Sequence, residues 1–221
     1  MDYSPVLISI KTASISIVIT FLLGIFLAGI LFSYADSKIS LIIDSILTLP
    51  IVLPPTVAGF LLLIIFGVNR PLGRFFLEFF GVRVVFNWSA TVLAAVVISF
   101  PLMYRSAIGA FKQVDPNLIY AARTLGMSEG KIFWKVLIPN AKPGIISGTI
   151  LAFARGLGEF GATMMIAGNI AGKTRTLPVA VYSATAGGDM ETANKYVLIL
   201  LGISFVVVLV MNYLSFKQEK R

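Results

Sequence analysis

The chain has 221 residues, a net charge of +8, 57% hydrophobic residues and only 13% charged residues. Soluble domains contain about 45–50% apolar and about 25% charged residues, so this composition predicts an integral membrane protein. The chain has no cysteine and no histidine, which excludes disulfides and every metal site or catalytic scheme that requires those side chains. Its basic residues are scattered beside apolar runs, which predicts a role in membrane topology and no nucleic-acid partner.

The apolar runs predict an all-α polytopic membrane protein with five transmembrane helices in a single domain, residues 1–221. The predicted spans are residues 5–33, 42–67, 89–111, 144–168 and 196–216. Phenylalanines mixed with charged residues over 69–88 predict an amphipathic segment in the membrane interface. The stretch 171–195 is polar and is predicted to turn at residues 187–189.

The second span carries prolines at one end. Pro50, Pro54 and Pro55 remove helical hydrogen bonds, so we expect a kink or a break there. A broken helix is tolerated at membrane depth only against protein or a water-filled cavity. A proline kink that serves packing alone is the alternative.

Residues 115–139 are too charged to lie in lipid, yet they fall between two apolar runs. Asp115 is suited to cap a helix whose first position is Pro116, and Gly126 is suited to the left-handed turn that ends it. Ser128 is predicted to cap a second helix, and Pro139 prevents its undisturbed continuation. The prediction is a loop of two short helices joined by a glycine.

The first loop helix has an apolar face, formed by Leu118, Ile119, Ala122 and Leu125. With the small Ala121 beside Ala122, this face is suited to insertion into a cleft on a partner protein. The alternative is a helical hairpin that lies on the lipid headgroups, where the nearby basic residues contact anionic lipid.

The fourth span has small residues at every fourth position, which predicts close packing against a neighbouring helix. These residues are Gly144, Gly148, Ala152 and Gly156. Arg155 and Glu159 lie four residues apart, and charges at this depth must be paired or face water. A structural ion pair and a charge pair beside a conduction path are both compatible with this spacing.

Two groups of motifs resemble a known family. Tyr120-Ala121-Ala122, Gly126 and the run 136–139 (VLIP) are spaced as in the EAA loop of permease subunits of ABC importers, although Tyr120 stands where that family usually has glutamate. The runs 151–162, 168–170, 174–178 and 49–59 resemble permease subunits of molybdate and tungstate importers, and sulfate permeases share part of the pattern.

The resemblance implies the fold of type I ABC importer permeases, without enzymatic activity in this chain. It also implies that two copies form the pathway in the cell membrane, that two cytoplasmic ATPase subunits bind ATP and Mg, and that an external binding protein delivers the oxyanion. By this resemblance the chain itself binds no cofactor or metal, and the loop couples it to the ATPases. The residues expected to serve coupling are Asp115, Pro116, Tyr120, Ala121, Ala122, Gly126, Ser128 and Pro139.

Placing the loop in the cytoplasm puts ten basic residues inside and seven outside, which favours an external N-terminus and a cytoplasmic C-terminus. Three alternatives remain: a sulfate permease, a permease for another oxyanion, and an ATP-independent channel or secondary carrier that uses Arg155 and Glu159.

Overall fold

The computed structural model describes residues 2–34 and 37–219. This part of the chain forms α-helices and one π-helical turn. The α-helices are α1 (Ser4–Ser33), α2 (Lys38–Val52), α3 (Pro55–Phe66), α4 (Pro71–Phe80), α5 (Trp88–Lys112), α6 (Pro116–Thr124), α7 (Glu129–Ile132), α8 (Ile138–Leu157), α9 (Gly161–Ile166), α10 (Leu177–Ala186) and α11 (Met190–Glu219), and the π-helical turn is Phe133–Leu137. The described residues are therefore all-α, as predicted.

The centre of the bundle is the pair α1 and α5, whose buried hydroxyl groups fix their register. Thr12 and Thr91 approach to 2.9 Å, and Thr20 and Ser99 approach to 3.2 Å. Both pairs are separated by 79 positions in the chain, so the two helices run parallel. The side chains of Met103, Tyr104 and Phe111 on α5 are fully buried.

Because α1 and α5 are parallel, the chain between them must return across the bundle. The helices α2 and α3 make this return, and they are bent by 116° relative to each other. Between them Leu53 and Pro54 are extended, with ψ of 137° and 135°, since a residue that precedes proline avoids the helical conformation. The second span is thus a broken helix.

The three prolines of this span have different roles. Pro54 and Pro55 mark the break, and Pro55 is the first residue of α3. The prediction that Pro50 takes part in the break is wrong, because Pro50 lies inside α2, which continues to Val52. Near the end of a helix a proline removes only one backbone hydrogen bond, and Leu53 N–H still reaches the carbonyl of Leu49 at 3.2 Å.

The small-residue ridge of α8 packs against α5 and α1. A Cβ at Gly144 would lie 2.6 Å from Ala110 Cβ, and a Cβ at Gly148 would clash with Ser106. Ala152 is buried, and a Cβ at Gly156 would lie 3.4 Å from Ser16 Oγ of α1. The absence of side chains at these positions lets the helix backbones approach closely.

The predicted fourth span, residues 144–168, has wrong limits. The helix that crosses here covers Glu129–Leu157 and ends at Gly158. The chain then forms the separate short helix α9, whose Ala162 N–H donates to Glu159 Oε1 at 2.8 Å. The glycines at 156, 158 and 161 weaken any continuous helix, and this capping bond stabilises a new start.

The polar stretch 171–195 contains the helix α10, which the sequence reading did not predict. Leu177, Val179 and Ala180 of α10 are buried, and Leu177 N–H donates to Ser9 Oγ of α1 at 2.7 Å. The turn at 187–189 is present, with Gly188 at φ +77°. This segment therefore packs on the start of α1.

The last helix begins beside the start of α1, where Tyr196 Oη donates to the carbonyl of Asp2 at 2.8 Å. Because α11 is 30 residues long, its far end lies at the opposite end of the bundle. Among the described residues, four helices are long and apolar enough to span a membrane, and the number is five when the bent pair α2 and α3 is counted as one span.

We expect Gly148→Ala to lower the free energy of unfolding by about 1–3 kcal/mol, because its methyl group enters a filled contact. The melting temperature of the purified chain in detergent measures this effect. Adding Ser106→Gly to Gly148→Ala should restore stability, and Gly202→Ala, whose Cβ would meet nothing within 4 Å, is the control. Equal melting temperatures for Gly148→Ala and Gly202→Ala would contradict the packing role.

Candidate functional site

The loop between α5 and α8 begins with the capped helix α6. Asp115 Oδ1 accepts a hydrogen bond from Asn117 N–H at 2.9 Å, and Pro116 occupies the first helical position. At the other end Gly126 has φ of +74°. Its N–H donates to the carbonyl of Arg123 at 2.9 Å, and Met127 N–H donates to that of Ala122 at 3.1 Å. These two bonds form a Schellman cap, which sharply ends the helix.

An ion pair connects the two helices of the loop across Gly126. Arg123 donates from Nε to Glu129 Oε1 at 2.7 Å and from Nη2 to Oε2 at 3.1 Å. The hydrogen bonds to Glu129 raise the pKa of Arg123. Ser128 occupies the N-cap position, but its side chain makes no capping bond. The predicted cap by Ser128 is therefore wrong, and the bidentate pair fixes the geometry of the turn.

The prediction that the second loop helix is short is also wrong. The helix continues from Glu129 to Leu157, and it passes Pro139 by way of the π-helical turn Phe133–Leu137. In this turn Ile138 N–H donates to the carbonyl of Phe133, five residues earlier instead of four. The pattern of backbone hydrogen bonds therefore changes just before Pro139, and the helix continues although the proline has no N–H to donate. The predicted disturbance at Pro139 is a π-helical turn, a feature often found at functional sites.

The apolar side chains of α6 divide between two faces. Ala122 is only 5% exposed and Ile119 is partly buried, so both face the bundle. Leu118 and Leu125 are 44% and 81% exposed, and Ala121 between them is exposed as well. Positions 118, 121 and 125 share one side of a helix. The loop therefore presents a short apolar strip away from the bundle.

Tyr120, at the position of the family's usual glutamate, is 59% exposed beside this strip. Trp134, in the π-helical turn, is 67% exposed. Contiguous exposed apolar patches mark interaction sites, and aromatic side chains are enriched in protein interfaces. The strip and the adjoining Tyr120 thus have the composition of a docking surface.

The sequence-predicted pair Arg155 and Glu159 forms an ion pair, with Nη1 and Oε2 2.7 Å apart. The Glu159 side chain is 2% exposed and that of Arg155 is 34% exposed. Because the other oxygen of Glu159 caps α9, the carboxylate connects the end of α8 to the next helix. Glu159 lies beyond the end of α8, so the two residues do not share a helix face as the sequence predicted.

A second ion pair within the spans was missed by sequence reasoning. Asp44 of α2 accepts from Arg105 Nη2 through Oδ2 at 2.9 Å and from Tyr104 Oη through Oδ1 at 2.8 Å. Arg105 Nη2 also lies 3.4 Å from Thr48 Oγ1. The only signal in the sequence was the presence of opposite charges in two apolar runs.

In the described part of the chain no group of acidic, histidine or cysteine residues is arranged to hold a metal ion. The candidate functional features of the described residues are the exposed loop and the two intramembrane ion pairs.

Comparisons with known proteins agree with this architecture. The molybdenum transport system permease protein ModB of Escherichia coli (strain K12) is 41% identical over 216 residues, which cover 97% of this chain and 93% of that protein. ModB of Haemophilus influenzae is 36% identical and covers 100% of this chain and 96% of its own length. Among solved structures, the inward-facing MetNI methionine ABC transporter superposes with a TM-score of 0.76 at 17% identity, covering 96% of this chain and 94% of that chain. At that identity, the structural likeness establishes the fold alone.

Residues 12–221 match the family described as binding-protein-dependent transport system inner membrane component. The chain belongs to this family, and it is therefore a membrane subunit of a transporter rather than an enzyme.

Proposed function

We propose that this chain is the permease subunit of an ABC importer that moves molybdate, or tungstate, into the cytoplasm. The molybdenum permeases reported above match nearly the whole chain at 36% and 41% identity, which supports this substrate class. The observation that carries the proposal is structural: an ordered loop with an exposed apolar strip stands at the end of one uninterrupted helix that enters the membrane.

In the proposed assembly two copies of the chain line the pathway. Two cytoplasmic ATPase subunits, which bind ATP and Mg, each receive the loop 115–139 of one copy. An external binding protein delivers the oxyanion to the opposite side. The low burial of α2 and α11 supports a dimer, because both helices are mostly exposed in the single chain.

The proposed orientation follows from the position of the loop. With residues 115–139 in the cytoplasm, the start of α1 lies outside and the end of α11 lies inside, since five crossings separate them when α2 and α3 count as one span. The excess of ten basic residues inside over seven outside supports the same orientation. Of those ten, Arg105 lies within α5, where it pairs with Asp44, and Lys220 and Arg221 lie outside the described residues.

The structure suggests how a movement of the loop reaches the bundle. A Cβ at Gly29 of α1 would lie 2.6 Å from Phe133 Cε2, so the ring of Phe133 occupies a notch that only glycine leaves open. The same ring lies edge-on to Phe111 of α5, with centroids 5.8 Å apart. The root of the loop is therefore packed against both central helices.

The helix Glu129–Leu157 then continues into the close contact with α5. Closely packed helices move as a rigid body when a protein changes from one conformation to another. Closure of the ATPases would thus displace the loop, and with it α8, α5 and α1 as a unit, so that the interface between two copies opens alternately to each side.

The pair Arg155 and Glu159 is proposed to lie beside the pathway. Gly161, two residues after Glu159, would place a Cβ 3.1 Å from Pro55 at the break between α2 and α3. A broken helix and a partly exposed Arg155 both require water or protein on this side rather than lipid. A channel or carrier driven by this pair is less well supported, because both carboxylate oxygens of Glu159 already accept hydrogen bonds from the protein, one from Arg155 and one from Ala162 N–H.

The direct test is uptake of labelled molybdate, tungstate and sulfate by vesicles that contain this chain with candidate ATPase and binding-protein partners. We expect molybdate or tungstate uptake that requires ATP and all partners. Uptake at the full rate by the chain alone would refute the ABC assignment, and preference for sulfate would refute the substrate.

We expect Gly126→Val to abolish uptake without preventing membrane insertion. A left-handed conformation costs a residue with a side chain about 1–2 kcal/mol, and a β-branched side chain raises this cost, so the Schellman turn would open and the strip would lose its position. Uptake and membrane content are measured in parallel.

Gly130→Ala is the matched control, because its Cβ would also meet nothing within 4 Å but its backbone is helical. Gly126→Asn should keep most of the activity, since asparagine tolerates the left-handed conformation. Normal uptake by Gly126→Val would contradict the role of the turn.

We expect Gly29→Leu to lower uptake strongly while ATP hydrolysis by the complex continues. The larger side chain would expel Phe133 from its notch and detach the root of the loop from α1. The ratio of anion transported to ATP hydrolysed measures this uncoupling. Combining Gly29→Leu with Phe133→Ala should restore part of the ratio, and an unchanged ratio in Gly29→Leu would count against the notch.

A further inference from the structure

The ion pair of Asp44 and Arg105 lies on α2, the helix that precedes the break in the second span. Asp44 and Thr48 are one turn apart on α2, and α2 ends at Val52, just before the break. The pair Arg155 and Glu159 adjoins the other side of that break through Gly161. One intramembrane ion pair therefore lies on α2, and the other lies next to the break that follows it.

The helix α2 is incompletely covered by the rest of the single chain. No residue of α2, all of which lie within the described residues, is buried. The side chain of Arg105 is 51% exposed and that of Asp44 is 22% exposed. A guanidinium half exposed within a span is costly against lipid, so this surface must face water or protein.

Arg105 is held in place but only partly neutralised. Its Nη2 donates to Asp44 Oδ2, and Asp44 is fixed in turn by Tyr104 Oη. Within the described residues, Nε and Nη1 of Arg105 make no hydrogen bond, which leaves donors for a further acceptor. A guanidinium is suited to bind tetrahedral oxyanions through several parallel hydrogen bonds.

We propose that Arg105 is a contact for the transported oxyanion on the inner part of the pathway, and that Asp44 and Tyr104 are its positioning residues. This inference rests on the proposed function. Asp44 cancels part of the charge of Arg105, so the site attracts a dianion without trapping it. Conduction requires such weak binding, because the ion must leave as well as enter.

The test uses the absence of cysteine from this chain. Thr48→Cys, in the complex with its partner subunits, introduces the only thiol of the chain next to Arg105. We expect a charged, membrane-impermeant thiol reagent to label this cysteine and molybdate to slow the labelling. Gln113→Cys, exposed just beyond the end of α5 and about two turns from Arg105, is the control that the reagent should label but that molybdate should not protect. A Thr48→Cys that is never labelled would overturn the proposal.

Two further substitutions distinguish an anion contact from a structural bridge. In the Thr48→Cys background, Arg105→Gln should raise the molybdate concentration needed for half protection by about tenfold or more, as expected for loss of hydrogen bonds from a charged donor. Asp44→Asn should lower that concentration, because it frees Arg105. The double variant should behave like Arg105→Gln, and Arg105→Lys should be intermediate.

A purely structural bridge gives a different pattern. Arg105→Gln and Asp44→Asn would then change protection in the same direction, and the double variant would recover. That result would overturn the inference. If the wild-type complex transports molybdate and Arg105→Gln transports it at the same rate, only this inference fails; if the wild-type complex transports no oxyanion, the proposed function fails.

Discussion

The contact of α8 with α5 through residues without side chains is the constraint on which the rest of the structure depends. In lipid no hydrophobic force drives helices together, so their association relies on close packing. Gly144 and Gly148 provide that packing against Ala110 and Ser106. The helix that begins in the loop continues into α8. Because α8 is packed closely on α5, the loop and the bundle are expected to move together.

The charges within the spans show a second constraint, the cost of an ionised group away from water. The structure meets it by pairing each arginine with a carboxylate from another segment: Arg105 with Asp44 of α2, and Arg155 with Glu159 beyond the end of α8. Each carboxylate also accepts a second hydrogen bond. The pair of Arg155 with Glu159 connects the end of α8 to α9, whereas the pair of Arg105 with Asp44 joins two regular helices. Both arginines remain partly exposed.

The features that were predicted correctly depend on residues that lie close together in the sequence. Asp115 and Gly126 define the first loop helix by local chemistry, and the ridge of α8 is visible as a repeat of four. The passage through Pro139 was missed because a π-helical turn has no clear sequence signal. The pairing of Asp44 with Arg105 joins positions 61 apart, and only the parallel register of α1 and α5, which forces the return through α2, brings them together.

The replacement of the family's usual glutamate by Tyr120 is explained by how the loop is stiffened. Its geometry is fixed by the cap of Asp115, by the Schellman turn at Gly126 and by the ion pair of Arg123 with Glu129. None of these uses the side chain at position 120, which is exposed beside the apolar strip. The loop can therefore remain rigid while this side chain varies. It follows that the backbone and the ion pair hold this loop rigid without its exposed face, which is thereby available for the proposed docking of a partner.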